Sequence, residues 1–239
     1  MGEARPRRGA QGGGLTDPAT TRRLYGRRQG HALRIGQAAL VEALLPRVAV
    51  PAGPLDAAVL FGDARPLWLE IGFGSGEHLA AQAAAHPDVG LIGCEPFLNG
   101  VVGALGHIRD GALDNVRLYM GDALDVLDRL PPASLDRAFL LHPDPWPKLR
   151  HAKRRFVNPG PLDALASRLQ PGAELRIGTD HPVYLRWTLM QMAARTDFRW
   201  EVASPGDWQE RSADWPPTRY EVKARAKGHE VWYLRYLRV

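Results

Sequence analysis

Apolar positions follow two rhythms along this chain, and the change from one to the other divides it. From Pro66 onward, short apolar runs alternate with longer segments whose apolar residues recur at helical spacing, the pattern of βαβ units and a parallel sheet. LWLEIGFG reads as a strand entering a glycine turn, VGLIGCEP as a second strand, VRLYMGD as a third, LDRAFLLHPDPW as a fourth and ELRIGTDHP as a fifth. Helical spacing is found at 77–85, 99–109, 162–169 and 183–195. FRWEVA and EVWYLRYLRV follow as two strands expected to pair antiparallel. The predicted fold class is α/β: a doubly wound, mostly parallel seven-stranded sheet with an antiparallel strand near the C-terminus. Ligands of such a sheet bind at the carboxyl ends of its strands, where the strand order switches.

Before Pro66 the pattern is different. Residues 1–21 are Gly, Arg, Pro and Ala with almost nothing apolar, too little to offset the entropy of ordering, so they are expected to be mobile and outside the fold. Residues 22–65 open with RRLYGRRQGHALRIGQ, where Arg22, Arg23, Arg27, Arg28 and Arg34 surround Tyr25. That interleaving suits phosphates and bases, or equally a solvated leader. A short helix is predicted at 37–45, ended by Pro46. The domain proper is 66–239, with no internal repeat visible.

Composition changes the picture little. Of 239 residues, 45% are hydrophobic and 24% charged, ordinary globular usage. The net charge of +5 suits a polyanionic partner without requiring one. Cys94 is the only cysteine, which excludes an intrachain disulfide and a Cys-based zinc cluster. No apolar run approaches the roughly 18 residues of a bilayer span, and the N-terminus lacks the apolar stretch of a signal peptide. A cytoplasmic protein, monomer or homodimer, without a membrane partner is expected.

Candidate chemistry begins at the first glycine turn. Gly72, Gly74 and Gly76 follow a strand and precede a helix, the setting of a nucleotide-binding loop. Their spacing is Gly-x-Gly-x-Gly, which fits pyrophosphate-binding dinucleotide loops poorly. Glu70 ends the first strand beside the loop, where a carboxylate would repel pyrophosphate but attract, directly or through water, the ammonium of a methionine moiety. Glu95 ends the second strand, 19 residues after Gly76, where an acidic residue accepts hydrogen bonds from ribose hydroxyls. Asp122 follows the third strand and is placed for an adenine edge. Together they point to S-adenosylmethionine, though each carboxylate alone could be a helix cap. An NAD-dependent oxidoreductase on the same sheet is the alternative.

The fourth strand ends in His142-Pro143-Asp144-Pro145-Trp146-Pro147-Lys148. Three prolines fix the backbone around Asp144, and a carboxylate held beside an indole suits an aromatic base with donors on its edge. Arg150, His151, Lys153, Arg154 and Arg155 come directly after, a cluster placed to contact RNA phosphates. His142 and His151 have no spacing that suggests a metal, and none is predicted.

These segments, with RRQGHALRIGQ, GDALDVL, RIGTDHPVY and TRYEVKARAKGHEVW, resemble the bacterial tRNA (guanine-N7-)-methyltransferases from about Arg22 to the C-terminus. The resemblance implies a Rossmann-like methyltransferase that uses S-adenosylmethionine, with guanosine 46 in the variable loop of tRNA as acceptor. It implies that Glu70, Glu95 and Asp122 are cofactor ligands and that Asp144 is the catalytic residue, also near the cofactor. Lys148, Asp180, Thr218, Arg219, Tyr220 and Glu221 would be substrate contacts, and Arg150 to Arg155 the RNA-contacting stretch. Two positions depart from the family: Leu149 stands where a second lysine is common, and Arg219-Tyr220 replaces Lys-Phe. The spacing of Thr218 and Glu221 also fits a helix capping box. A non-catalytic RNA-binding protein that kept the fold is the other alternative.

Overall fold

A computed structural model describes residues 29–239; the predicted leader at 1–21 and the residues Arg22, Arg23, Tyr25, Arg27 and Arg28 lie outside the described residues. β1 (Leu67–Ile71) is buried at every position, as a strand covered on both faces must be. It pairs in parallel with β2 (Gly90–Cys94) on one side and β4 (Leu135–Leu141) on the other. β3 (Val116–Tyr119) extends the sheet beyond β2, and β5 (Leu169–Thr179) continues it beyond β4. β7 (Trp232–Arg238) then runs antiparallel between β5 and β6 (Phe198–Trp200). The order is β3-β2-β1-β4-β5-β7-β6. Chain progression reverses between β1 and β4, so a crevice opens at their carboxyl ends.

Alternation along β1 feeds two cores. Leu67, Leu69 and Ile71 pack with residues of α2 (Ala57–Phe61), α5 (Ala123–Leu127), α6 (Pro159–Arg168) and α7 (Pro182–Ala193). Trp68 faces the opposite core, with residues of α1 (Ile35–Val48), α3 (Glu77–Ala85) and α4 (Leu98–Asp110). Two short helices complete the chain, α8 (Gly206–Gln209) and α9 (Arg219–Ala226). Among the described residues, no helix is long and apolar enough to cross a membrane.

Two elements differ from the pattern. α1 continues through Pro46 to Val48 instead of ending at the proline. Pro46 and Glu42, whose carbonyl loses its partner, are both exposed, a place where water can take the lost partner's role, while Leu45 and Val48 stay buried. α9 is signalled only by the capping spacing of Thr218 and Glu221, because RYEVKARA carries no apolar stripe. It forms because Thr218 accepts a hydrogen bond from the Glu221 amide at 3.0 Å and Ala224 packs into the core.

Candidate active site

The glycine turn is set by backbone conformation and by helix packing together. Gly72, Gly74 and Gly76 have φ of +72°, +61° and +84°, where any side chain is strained. α4 then leans on the loop through its own small residues. A Cβ on Gly100 would stand 2.2 Å from the Gly74 carbonyl oxygen, and one on Gly76 would stand 2.6 Å from Ala104 Cβ. Glu95, just past β2, ties the turn to the start of α4: one carboxylate oxygen accepts from Gly74 N at 2.9 Å and the other from Phe97 N at 3.0 Å. Burial nonetheless pushes its pKa above the ordinary carboxylate range.

The other two carboxylates are placed differently. Asp122 accepts from the Leu124 amide at 3.0 Å and so caps α5, while it also lines the cleft. Glu70 is only 3% exposed and lies beneath the turn, 2.8 Å from His78 Nδ1. Gln82 Nε2 meets the same imidazole at 3.3 Å and donates to the Asp214 carbonyl at 3.1 Å. The Glu70 carboxylate therefore fixes α3 to the end of β1 and does not line the cleft.

The proline loop after β4 contains two non-glycine residues in the left-handed region, His142 at φ +48° and Trp146 at φ +42°. Such residues persist only where their surroundings hold them. Arg155 does much of the holding. It is 4% exposed, donates to the Pro145 and Trp146 carbonyls at 3.0 and 2.9 Å, and lies over the Trp187 ring. The guanidinium, predicted as an RNA contact, is placed inward, where it braces the loop. The Arg154 guanidinium covers the Trp146 ring at 4.7 Å. Asp144 is exposed and lines the cleft. Lys148, Arg150 and Lys153 are exposed and His151 half-buried.

α9 brings Arg219 and Tyr220 to the cleft. Arg219 donates to Ser75 Oγ at 2.7 Å and lies 3.6 Å from Glu77. The Tyr220 ring covers Gly74 and lies nearly parallel to the His142 ring. The neighbouring Thr218 and Glu221, predicted as substrate contacts, are both engaged within the chain. Thr218 caps α9, and the buried Glu221 carboxylate pairs with Arg211 at 3.3 Å and Arg225 at 3.2 Å. Asp180, just past β5, has a side chain one-third exposed and meets His142 Nδ1 at 3.4 Å.

Two adjoining cavities make up the cleft. One, of about 660 Å³, is bounded by Gly72, Gly74, Glu95, Asp144, Arg219 and Tyr220. The other, of about 430 Å³, has Asp122 and Lys153 in its wall. Ile71, Gly72, Pro96 and Trp146 border both, so the glycine turn and the proline loop face one continuous space. His142, Phe97 and Asn99 also line it, and sequence reasoning missed them. Their only signal was position, next to Glu95 or at the head of the proline loop. A larger groove of about 800 Å³ lies around β6 and α8, but its arginines are already paired, Arg199 with Glu201, Arg211 with Glu221 and Arg235 with Glu174.

Comparison with known proteins agrees with this arrangement. The family described as "Putative methyltransferase" matches residues 64–234. A tRNA (guanine-N(7)-)-methyltransferase of Zymomonas mobilis is 60% identical over 226 residues, covering 94% of this chain and 98% of its own length. One of the same name from Sphingopyxis alaskensis is 56% identical, covering 93% and 97%. Among solved structures, an rRNA methylase from Streptococcus thermophilus superimposes with a TM-score of 0.51 at 11% identity, over 86% of this chain and 95% of that one; this likeness concerns the fold. The family match removes the oxidoreductase alternative. With the cleft, the glycine turn and relatives of this identity over nearly its whole length, the chain belongs to the tRNA (guanine-N(7)-)-methyltransferase family.

Proposed function

We propose that the chain methylates N7 of guanosine in tRNA, at position 46 of the variable loop, with S-adenosylmethionine as donor. The observation that carries this reading is the continuous cleft with Glu95 on one wall and Asp144 on the other. The donor side fits an adenosyl ligand. Its turn is held open by three positive-φ glycines, and each Glu95 oxygen, having accepted one backbone amide, keeps a lone pair for a ribose hydroxyl. Gly72, Gly74, Glu95 and Asp122 would hold the donor, which when bound supplies an electrophilic sulfonium methyl group. Glu70 would support that site from below, through His78 and α3.

Guanine N7 carries an in-plane lone pair and no proton, so this chemistry needs no general base. What the chain has to provide is orientation and compensation for the positive charge that develops on the purine. Asp144, projecting from a braced loop into the cleft, provides the second more strongly in the transition state than in the ground state. Asp180 grips the base edge better than Glu221, whose carboxylate is held by two arginines. Lys148, Arg150 and Lys153 are the exposed cations suited to phosphates.

Incubating purified protein with unmodified tRNA and labelled S-adenosylmethionine, then mapping the modified nucleoside, tests the reading. Label in 7-methylguanosine at position 46 is expected, with Asp144→Asn about 10–100-fold slower at unchanged S-adenosylhomocysteine affinity. No transfer, as for a non-catalytic RNA-binding protein, or label on another atom would overturn it.

A further inference from the structure

His142 belongs to no motif that named a role for it, yet its placement is unusual. It adopts φ +48° without being glycine, and its side chain is 5% exposed. Its amide donates to the Gly178 carbonyl at 2.7 Å, which fixes the residue to the end of β5. Its Nδ1 lies 3.4 Å from Asp180 Oδ1, and the other Asp180 oxygen lies 3.6 Å from His229 Nδ1. Its ring lies 22° from the plane of Tyr220, with centroids 6.3 Å apart. His142 lines the cleft, and Asp180, its side chain one-third exposed, is in contact with it.

The protonation pattern is coherent. Burial lowers the imidazole pKa despite the nearby Asp180 and Glu221. For Asp180, burial acts to raise the pKa, but the His142 hydrogen bond and its own backbone amide hold it below the ordinary carboxylate range. An ionised carboxylate can only accept, so Nδ1 of the neutral imidazole carries the hydrogen.

We propose that His142 is a positioning residue for the acceptor base: it holds the Asp180 carboxylate through Nδ1–H and sets the Tyr220 ring, joining the ends of β4, β5 and α9 into one wall. This rests on the proposed methylation of guanosine, whose N1–H and amino group are the donors an aimed carboxylate would accept. The left-handed backbone is then accounted for, because it directs the ring from the loop toward Asp180. Misplacing a recognition group by about 1 Å is enough to cost roughly 100-fold in rate.

A double-mutant cycle with Asp180 separates this role from a structural one. Gly and Asn both tolerate positive φ, so His142→Gly removes the ring without strain, while His142→Asn keeps an amide donor near the position of Nδ1. His142→Gly is expected to lower kcat/KM for tRNA about 10–100-fold, mainly through KM, and His142→Asn to stay within about threefold of wild type. In an Asp180→Asn background, His142→Gly should cost less than about threefold more. S-adenosylhomocysteine affinity and melting temperature should hold throughout. Multiplicative losses in the cycle, or an Asn variant as poor as the Gly variant with an unchanged melting temperature, would overturn the proposal. If wild type fails to methylate tRNA guanosine, the functional reading has failed and this inference falls with it; if wild type methylates and the losses multiply, only this inference fails.

Discussion

The two walls of the cleft are built by different means. On the donor side, main chain packs against main chain: three positive-φ glycines form the turn, Gly100 lies under the Gly74 carbonyl, and Glu95 is bonded to two backbone amides. On the acceptor side, side chains hold the main chain in place. Arg155 braces the proline loop, His142 reaches Asp180, and Arg219 crosses to Ser75. A wall made of backbone has little room to adapt, so changes there should cost cofactor affinity and stability together. A wall held by side chains can loosen while the fold persists, so changes there should cost acceptor binding or turnover first.

Gly100→Ala is the sharpest way to break that contrast. Its Cβ would stand 2.2 Å from the Gly74 carbonyl oxygen, and neither α4 nor the turn can move without disturbing the other. Overpacking of this kind costs about 1–3 kcal/mol, and if the turn bears it S-adenosylhomocysteine affinity should fall about 5- to 150-fold, since 1.4 kcal/mol is tenfold. Chemical denaturation and calorimetric titration read the two quantities. Loss of stability with full affinity would show that the turn adapts after all.

Arg155→Leu probes the opposite wall. It leaves the Pro145 and Trp146 carbonyls without their donor, at a cost of about 1–3 kcal/mol for each that stays buried. The loop should lose its hold on Asp144. We expect kcat to fall about 10–30-fold, on the scale set by misplaced catalytic groups, with cofactor affinity intact. The slope of tRNA affinity against salt concentration should not change. Replacing Arg150 and Lys153 by alanine should instead flatten that slope by about 1–2, as expected when one or two phosphate contacts are lost. A flattened slope in Arg155→Leu would return that residue to the RNA surface.

The same contrast explains what could be read from the residues. The donor wall was legible because its determinants are local: glycines in a strand-to-helix turn, and carboxylates just past consecutive strands. The parallel sheet was legible for the same reason. The acceptor wall depends on which way each side chain turns. Arg154 and Arg155 are adjacent in one charge run, yet one covers Trp146 and the other is buried beneath the loop, and no spacing rule separates them. His142 and Asp180 are 38 residues apart and meet only because β4 and β5 are neighbours. The insertion of β7 between β5 and β6 was equally hidden, since periodicity gives a strand's faces and not its partners. Thr218 and Glu221 did carry a local signal, the capping spacing, of which the structure uses the Thr218 half, while the Glu221 carboxylate pairs with Arg211 and Arg225. The alternation of charge in α9 concealed the helix itself.

Glu95→Gln gives the smallest effect and separates stability from binding within the donor wall. Burial raises the Glu95 pKa, so the folded chain binds its proton more tightly than the unfolded chain does. The sign follows by linkage: this residue's contribution is fully present below its unfolded pKa and is lost as pH rises through the folded value. Without cofactor, wild type should therefore lose stability relative to Glu95→Gln as pH climbs from the ordinary carboxylate range through the raised folded value, and the difference should then level off. The amide can accept only one of the two backbone bonds, so the net change in melting temperature at neutral pH should be a few degrees at most, in the range of about 1 kcal/mol or less. Cofactor affinity should move the other way, roughly tenfold weaker, because a charged acceptor binds a hydroxyl more strongly than a neutral one. Melting curves across pH and titrations at neutral pH measure both quantities. A pH-independent stability difference would mean that the two backbone amides already compensate the buried charge, and that even the ionisable group in this wall is fixed by main chain.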